Sequence, residues 1–248
     1  MTLTILQCNV NRSSVAHMLL PQIAMKMNAD VLVISEQYRK RPEPSWFASK
    51  SNTTAVWVRG NEAMRVSASG SGADYIWVRV STVVVVSVYL SPNYSALEYA
   101  NRLTDIEDAV RDISGNTIVA GDFNSRAIEW GLPTTNRRGR LLLEMVARLQ
   151  LVVVNEGKSA TFRRPEWGQS IPNVTLTTDR LLTRIRGWKV IEEYTASDHQ
   201  YIIFEVTDEN TTRRRGNVLL PLRWDTKLLD RKKLDRLLQN AEPFTKTT

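Results

Sequence analysis

Glu36, Asp122, Asn124 and His199 are the side chains in this sequence best suited to moving a proton or holding a cation, and each lies beside an apolar run. Glu36 follows Val31-Leu32-Val33-Ile34-Ser35. A carboxylate at a strand tip is a natural ligand for Mg²⁺, a hard cation that takes a few protein oxygens and keeps several waters. Alone, a glutamate there is more often a surface residue. Asp122 and Asn124 stand two residues apart in Gly121-Asp122-Phe123-Asn124, which would put a base and a neutral donor on one face. The same tetrapeptide also suits an ordinary turn. His199, in Ser197-Asp198-His199, precedes the apolar Tyr201–Phe204, and when protonated it can donate to an oxygen gaining negative charge. The other histidine, His17, lies in an amphipathic stretch and reads as a structural or surface residue. Hydrolysis of a phosphodiester needs such parts together: a base for water, a cation for the charge developing on phosphorus, and donors that hold the phosphate in line.

These residues need strands to place them. Leu3–Cys8 is a β-type run, followed by an amphipathic helix over about 13–27 and a buried strand Val31–Ile34. Ala55–Val58, Arg65–Ala68, Tyr75–Val80 and Val83–Leu90 read as short strands between turns rich in Ser, Gly and Asn. A helix over about 95–113 starts after Ser91-Pro92-Asn93 and stops at Gly115, and strand Thr117–Ala120 runs into Gly121. Helix 138–149 and strands 151–154, 171–177, 187–193 and 201–206 complete the alternation. Asn9, Glu36, Tyr89, Asp122 and Asn124 then all fall at or just beyond strand ends, which converge on one rim in sheets built this way. Trp46, Trp57, Trp77 and Trp188 fall in or beside strand patterns and read as packing residues.

The chain has 248 residues and a formal charge of +7, enough chain for a sizeable core. Residues 126–190 hold twelve basic against five acidic side chains, and residues 98–112 hold five acidic against two basic. A basic zone beside a carboxylate cluster suits a protein that grips a polyanion and holds a metal, although a solvated charged surface has the same composition. One cysteine, Cys8, allows no internal disulfide and fits a reducing compartment. No secretory signal is visible, and the longest apolar run is too short to span a bilayer. Beyond Val206 the character changes: 208–248 reads as a basic linker with a short helix over Asp225–Gln239, leading toward something downstream.

Gln7-Cys8-Asn9-Val10-Asn11-Arg12, Glu36, Ser87-Val88-Tyr89-Leu90-Ser91-Pro92, Gly121-Asp122-Phe123-Asn124 and Ser197-Asp198-His199 occur in that order. Together they resemble the endonuclease/exonuclease/phosphatase superfamily from about Leu3 to Val206. Glu129-Trp130-Gly131 and Ser170-Ile171-Pro172-Asn173-Val174-Thr175-Leu176 narrow the resemblance to the apurinic-type endonuclease domain of site-specific arthropod non-LTR retrotransposons, with a lean toward the TRAS-like, telomeric-repeat type. The resemblance implies an α/β fold, the four-layer DNase-I-like sandwich of two mostly antiparallel sheets flanked by helices, over residues 1–207. It implies a Mg²⁺-dependent (or Mn²⁺-dependent) nick in one strand of double-stranded DNA, supplying a 3′-OH for a covalently linked reverse transcriptase in the nucleus. A monomer without membrane contact is the expected form.

Carried over residue by residue, Glu36 would bind the metal with Asn9 and Asn11 nearby, and Asp122 would be the general base. Asn124 and Tyr89 would hold the scissile phosphate. His199 would donate to it with Asp198 alongside, while Thr161 and Ser197 would match further phosphate-facing positions. For the DNA, Arg137 and Arg138, Arg163, and Arg180, Arg184 and Arg186 are the candidate grips, the last three on a hairpin beside the active site. Asn11 and Asn173 depart from the family pattern, each standing where an aspartate is usual. Asn173 is the more serious, because an amide cannot stabilise an imidazolium by charge. In a related Asp–His system the equivalent change costs roughly 10⁴ in rate. Asn173 is then either inactivating or a weakening, and two other readings stay open: an impaired DNA-binding module, and a phosphoinositide or lipid phosphodiesterase of the same superfamily.

Overall fold

The computed structural model describes residues 2–60, 64–166 and 168–207; the expected linker and helix of 208–248 lie outside them. β1 (Thr2–Asn9), α1 (Ser14–Lys26) and β2 (Val31–Ser35) form a first βαβ unit whose strands pair in parallel. β3 (Trp46–Ala48) and β4 (Thr54–Val58) extend that sheet. A second sheet begins with β5 (Val66–Ser71) and β6 (Tyr75–Val80). It continues with a second βαβ unit of β7 (Val83–Tyr89), α2 (Ala96–Asp112) and β8 (Asn116–Asp122), again with parallel strands. α3 (Arg137–Arg148), β9 (Leu151–Val153), the hairpin β10 (Phe162–Arg164) and β11 (Gly168–Ser170), β12 (Asn173–Thr178), α4 (Asp179–Leu182), β13 (Ile185–Ile191) and β14 (Tyr201–Thr207) follow. The strand orders are β13-β14-β1-β2-β4-β3 in one sheet and β5-β6-β7-β8-β12-β9 in the other. All pairs besides the two in the βαβ units are antiparallel.

Period-two alternation sorts the side chains into layers. Leu3 and Ile5 of β1, and Val83 and Val85 of β7, join the core between the sheets. Leu6 and Cys8 pack under α1, and Val84, Val86 and Val88 pack under α2 and α3. Helix, sheet, sheet and helix therefore stack as the four-layer DNase-I-like sandwich, as expected. α2 starts where its capping box closes: Ser95 accepts from the Glu98 amide, and the Glu98 carboxylate accepts from the Ser95 amide.

Two expectations change. The acidic stretch 98–112 holds no metal cluster among the described residues. Glu107 instead takes Arg148 and Arg111, tying α2 to α3, and Asp108 pairs with Arg111. The hairpin beside the rim is β10–β11, ahead of Asn173 in the chain. β12 runs from Asn173 at the rim to Thr178 at the opposite end, about 17 Å at strand rise. Arg180, Arg184 and Arg186 therefore sit at that far end, not beside the active site. Arg184 is buried and its Nε donates to the Thr207 carbonyl at 2.6 Å. β3, β10 and β11 escape a sequence reading because three residues give alternation too little to act on. Trp46, Trp57 and Trp188 are buried in the core and Trp77 packs partly buried against it.

Candidate active site

The inner faces of the two sheets change character along their length. Reading toward the rim, β1 presents Leu3, Ile5, Gln7 and Asn9, and β7 presents Val83, Val85, Ser87 and Tyr89. β8 adds Ile118, Ala120 and Asp122; β12, running the other way, adds Thr177, Thr175 and Asn173. The middle polar residues clamp the sheets together. Gln7 donates to the Gly121 carbonyl (3.1 Å) and accepts from the Thr175 hydroxyl (2.9 Å). Ser35 donates to the Val88 carbonyl (2.9 Å) and accepts the Asp122 amide (3.2 Å). Gln7 and Ser35 thus find partners in the facing sheet, which fixes where the two sets of strand ends meet. Gly121 lets the strands approach: a Cβ there would lie 2.0 Å from the Val88 carbonyl oxygen.

Asp122 stands at the centre, 1% exposed. Its Oδ2 accepts from Asn9 Nδ2 at 2.8 Å and its Oδ1 from the Asn124 amide at 2.9 Å. Burial, aided by the charge of Glu36, pushes its carboxyl up to about 7 against the pull of those two donors. Glu36 sits in the left-handed region at φ 51° and accepts the Tyr89 hydroxyl at 2.6 Å. Burial and Glu36 hold the Tyr89 hydroxyl protonated, far above its ordinary range. His199 Nε2 lies 3.9 Å from Asp122 Oδ2. Its Nδ1 meets Asn173 Oδ1 at 2.9 Å, and Phe162 presses edge-on against the ring with centroids 5.0 Å apart. Burial lowers the imidazole to about 3, so the ring is neutral near pH 7. A proton on His199 would have to come with the substrate's charge.

Several expected residues serve the site by holding others. Asn9 is spent on Asp122 and on the Asn11 amide, which donates to Asn9 Oδ1 at 2.8 Å. Asn11 donates to Asp198 Oδ2 at 3.3 Å. Ser197 donates to the Asn9 carbonyl and accepts the His199 amide, so it ties the last loop to β1. Thr161 is fully buried and its hydroxyl accepts the Asn173 amide at 3.4 Å. Asn124 donates to the Leu90 carbonyl. Arg138 reaches the carbonyls of Ser91, Pro92 and Tyr94 and covers the Tyr99 ring at 4.6 Å, fastening the loop after β7. Arg137 is exposed on α3. Arg163 pairs with Glu192, and Arg164 with Asp198 at 3.3 Å. Gln7, Ser35 and Asn155, which donates to the Asn173 carbonyl, escaped sequence reasoning. Only Gln7 carried a signal, a polar residue two before Asn9 on the same strand face.

One ligand atom each from Glu36, Asp122 and His199 lie within 4.8 Å of one another. A half-buried and a buried carboxylate beside an imidazole suit a divalent cation, which would offset the burial cost of the Asp122 charge and its repulsion by Glu36. The rim opens on two sides. A groove of about 630 Å³ is lined by Asn11, Arg164, Tyr194, Ser197 and Asp198. A hollow of about 260 Å³ is lined by Asn124, Arg126, Asn136, Gln169 and Ser170.

Residues 83–203 match the family described as endonuclease-reverse transcriptase. No curated protein matches the chain. Among solved structures, the endonuclease domain of TRAS1, a telomere-specific non-LTR retrotransposon, superposes with TM-score 0.69 at 23% identity, covering 84% of this chain and 99% of that one. An AP endonuclease from Archaeoglobus fulgidus gives 0.64 at 17% identity, covering 82% and 98%. The 3′ phosphatase NExo from Neisseria, bound to a product DNA hairpin, gives 0.63 at 17% identity, covering 83% and 99%.

Proposed function

From the match of residues 83–203 to the endonuclease-reverse transcriptase family, we propose that this chain nicks one strand of duplex DNA by cation-assisted phosphodiester hydrolysis. The observation that carries the reading is the convergence of Glu36, Asp122 and His199 from three separate strand ends onto one buried point. A divalent cation, Mg²⁺ or Mn²⁺, held by Glu36 with Asp122 nearby, would supply charge neutralisation for the phosphorus and the leaving oxygen. Asp122, near neutrality in its proton affinity and aimed by Asn9 and the Asn124 amide, takes the proton of the attacking water. Tyr89 keeps its proton and spends it on Glu36, bracing the carboxylate that would hold the cation, while Asn124 across the rim offers a donor to hold the phosphate. The flanking grooves, with Arg164 on one side and Arg126 on the other, give the strand an entry and an exit.

The product of such a nick is a 3′-OH that primes reverse transcription by a linked polymerase, with chromosomal DNA as substrate, the nucleus as compartment and a monomer as the working unit. Recognition of a fixed target, telomeric repeats by analogy with TRAS1, is the finer part of the proposal. The test is nicking of supercoiled plasmid with and without Mg²⁺, followed by end-labelling of the product. A metal-dependent nick bearing 3′-OH supports the reading, and its loss in Asp122→Asn assigns it to this site. Duplex binding without any nick, under Mg²⁺ or Mn²⁺, would favour the impaired binding module, for which Asn173 is the specific observation.

A further inference from the structure

Asn173 is 1% exposed, and only its oxygen is used: Oδ1 meets His199 Nδ1 at 2.9 Å, while its Nδ2 is buried with no hydrogen-bond partner. An amide oxygen only accepts. The contact therefore places the ring proton on Nδ1 and leaves a lone pair on Nε2. That lone pair faces Asp122 Oδ2 across 3.9 Å, too long for a hydrogen bond. Two metal–ligand bonds of about 2.1 Å each can bridge such a gap. Glu36 supplies a third ligand atom within 4.8 Å.

Resting on the nuclease reading above, we infer that Asn173 fixes His199 as a neutral imidazole whose Nε2, with Glu36 and Asp122, completes a mixed nitrogen–oxygen cation site. Its consequence is selectivity. Mg²⁺ is served by oxygens, whereas Mn²⁺, Co²⁺ and Zn²⁺ gain progressively from an imidazole nitrogen. Asn173 is here a positioning residue in the pattern usual for ligating histidines, whose second nitrogen donates to an oxygen that holds the ring. The fold supports this assignment. Thr161 and Asn155 hold the backbone of Asn173 on both sides, and Phe162 fixes the imidazole plane. Of the Asn173 side chain, the site uses the oxygen alone.

Imidazole ¹⁵N NMR of the whole chain, titrated with Zn²⁺ and separately with Mg²⁺, tests this directly. The chain has two histidines, and His17 is an internal control: buried under Trp46, with Nε2 accepting from Arg41 Nε. The expected result is an Nδ1–H tautomer for His199 without metal and a Zn²⁺-induced shift of Nε2, with His17 unmoved. Asn173→Leu removes the accepting oxygen together with an unsatisfied buried amide and leaves the Nδ1 proton of His199 without its acceptor. It should lower Zn²⁺ affinity about 10- to 100-fold and leave Mg²⁺ affinity within about twofold. His199→Gln should narrow the Zn²⁺-over-Mg²⁺ preference by a similar factor. An Nε2–H tautomer, or Zn²⁺ binding that leaves His199 unshifted, overturns the assignment even if Mg²⁺-dependent nicking stands. If neither cation binds and no nick forms, the nuclease reading falls with it.

Discussion

The base and the rim of the inter-sheet space are built on the same strands, yet they do opposite work. At the base, Ile5, Val85, Ile118 and Phe204 are fully or almost fully buried and belong to one apolar cluster. At the rim, four residues further along β1 and β8, at the start of β12 and just before β14, Asn9, Asp122, Asn173 and His199 are nearly as buried but polar or ionisable. The loops around them hold Asn11, Arg12, Glu36, Asn124 and Ala196 at positive φ, a conformation that costs roughly 1–2 kcal/mol per residue. The base supplies stability that the rim consumes. A buried carboxylate whose proton affinity has risen from 3.8 to about 7 is a standing electrostatic cost, retained because its chemistry needs it.

Four measurements bear on that contrast, from the largest effect down. Asp122→Asn should cut nicking about 10³-fold or more, and should also make the metal-free protein more stable at alkaline pH. The sign follows from linkage. The folded-state affinity lies above the ordinary 3.8, so the folded protein keeps a proton that the unfolded chain has lost. Stability therefore falls as pH rises from about 4 to about 7, and the asparagine variant escapes that fall. Urea unfolding at pH 8 should favour the variant by about 2–4 kcal/mol; equal stability would remove the idea that the rim is costly.

Val85→Ala, at the base, should do the reverse, losing about 2 kcal/mol of stability with nicking per folded molecule unchanged. A matching loss of specific activity would mean that base and rim are coupled. Removing Arg163 and Arg164 together, beside the rim, should weaken duplex binding about tenfold and flatten its salt dependence. Removing Arg180 and Arg186, at the far end, should leave binding within about twofold. If the second pair matters as much as the first, the DNA path crosses the opposite end of the sandwich.

The divided arginines show where reading residues along the chain stops. In sequence, Arg163, Arg180 and Arg184 are equivalent members of one basic zone. The reversal of direction at β12 carries two of them away from the rim, and Arg184 is drawn into the fold to hold the end of β14. Composition has no direction, so charge density could not tell a grip from a brace. Arg138 and the carboxylates of α2 teach the same lesson, since each is engaged by a neighbour distant in sequence.

The amino-acid sequence by itself determined the layers and which polar groups stand at the rim. Alternation sets which face of each strand is apolar, capping signals set where α2 begins, and polar residues at strand tips mark the rim. Those are local properties, carried by neighbours a few residues apart. The tertiary structure alone decided how the groups act. The proton affinity of Asp122, the tautomer imposed on His199 and the distance between them depend on Asn9, Glu36 and Asn173, which come from three separate strand ends. They depend as well on the exclusion of water by two closed sheets. Burial and the meeting of distant charges are properties of packing, and no window along the chain contains them.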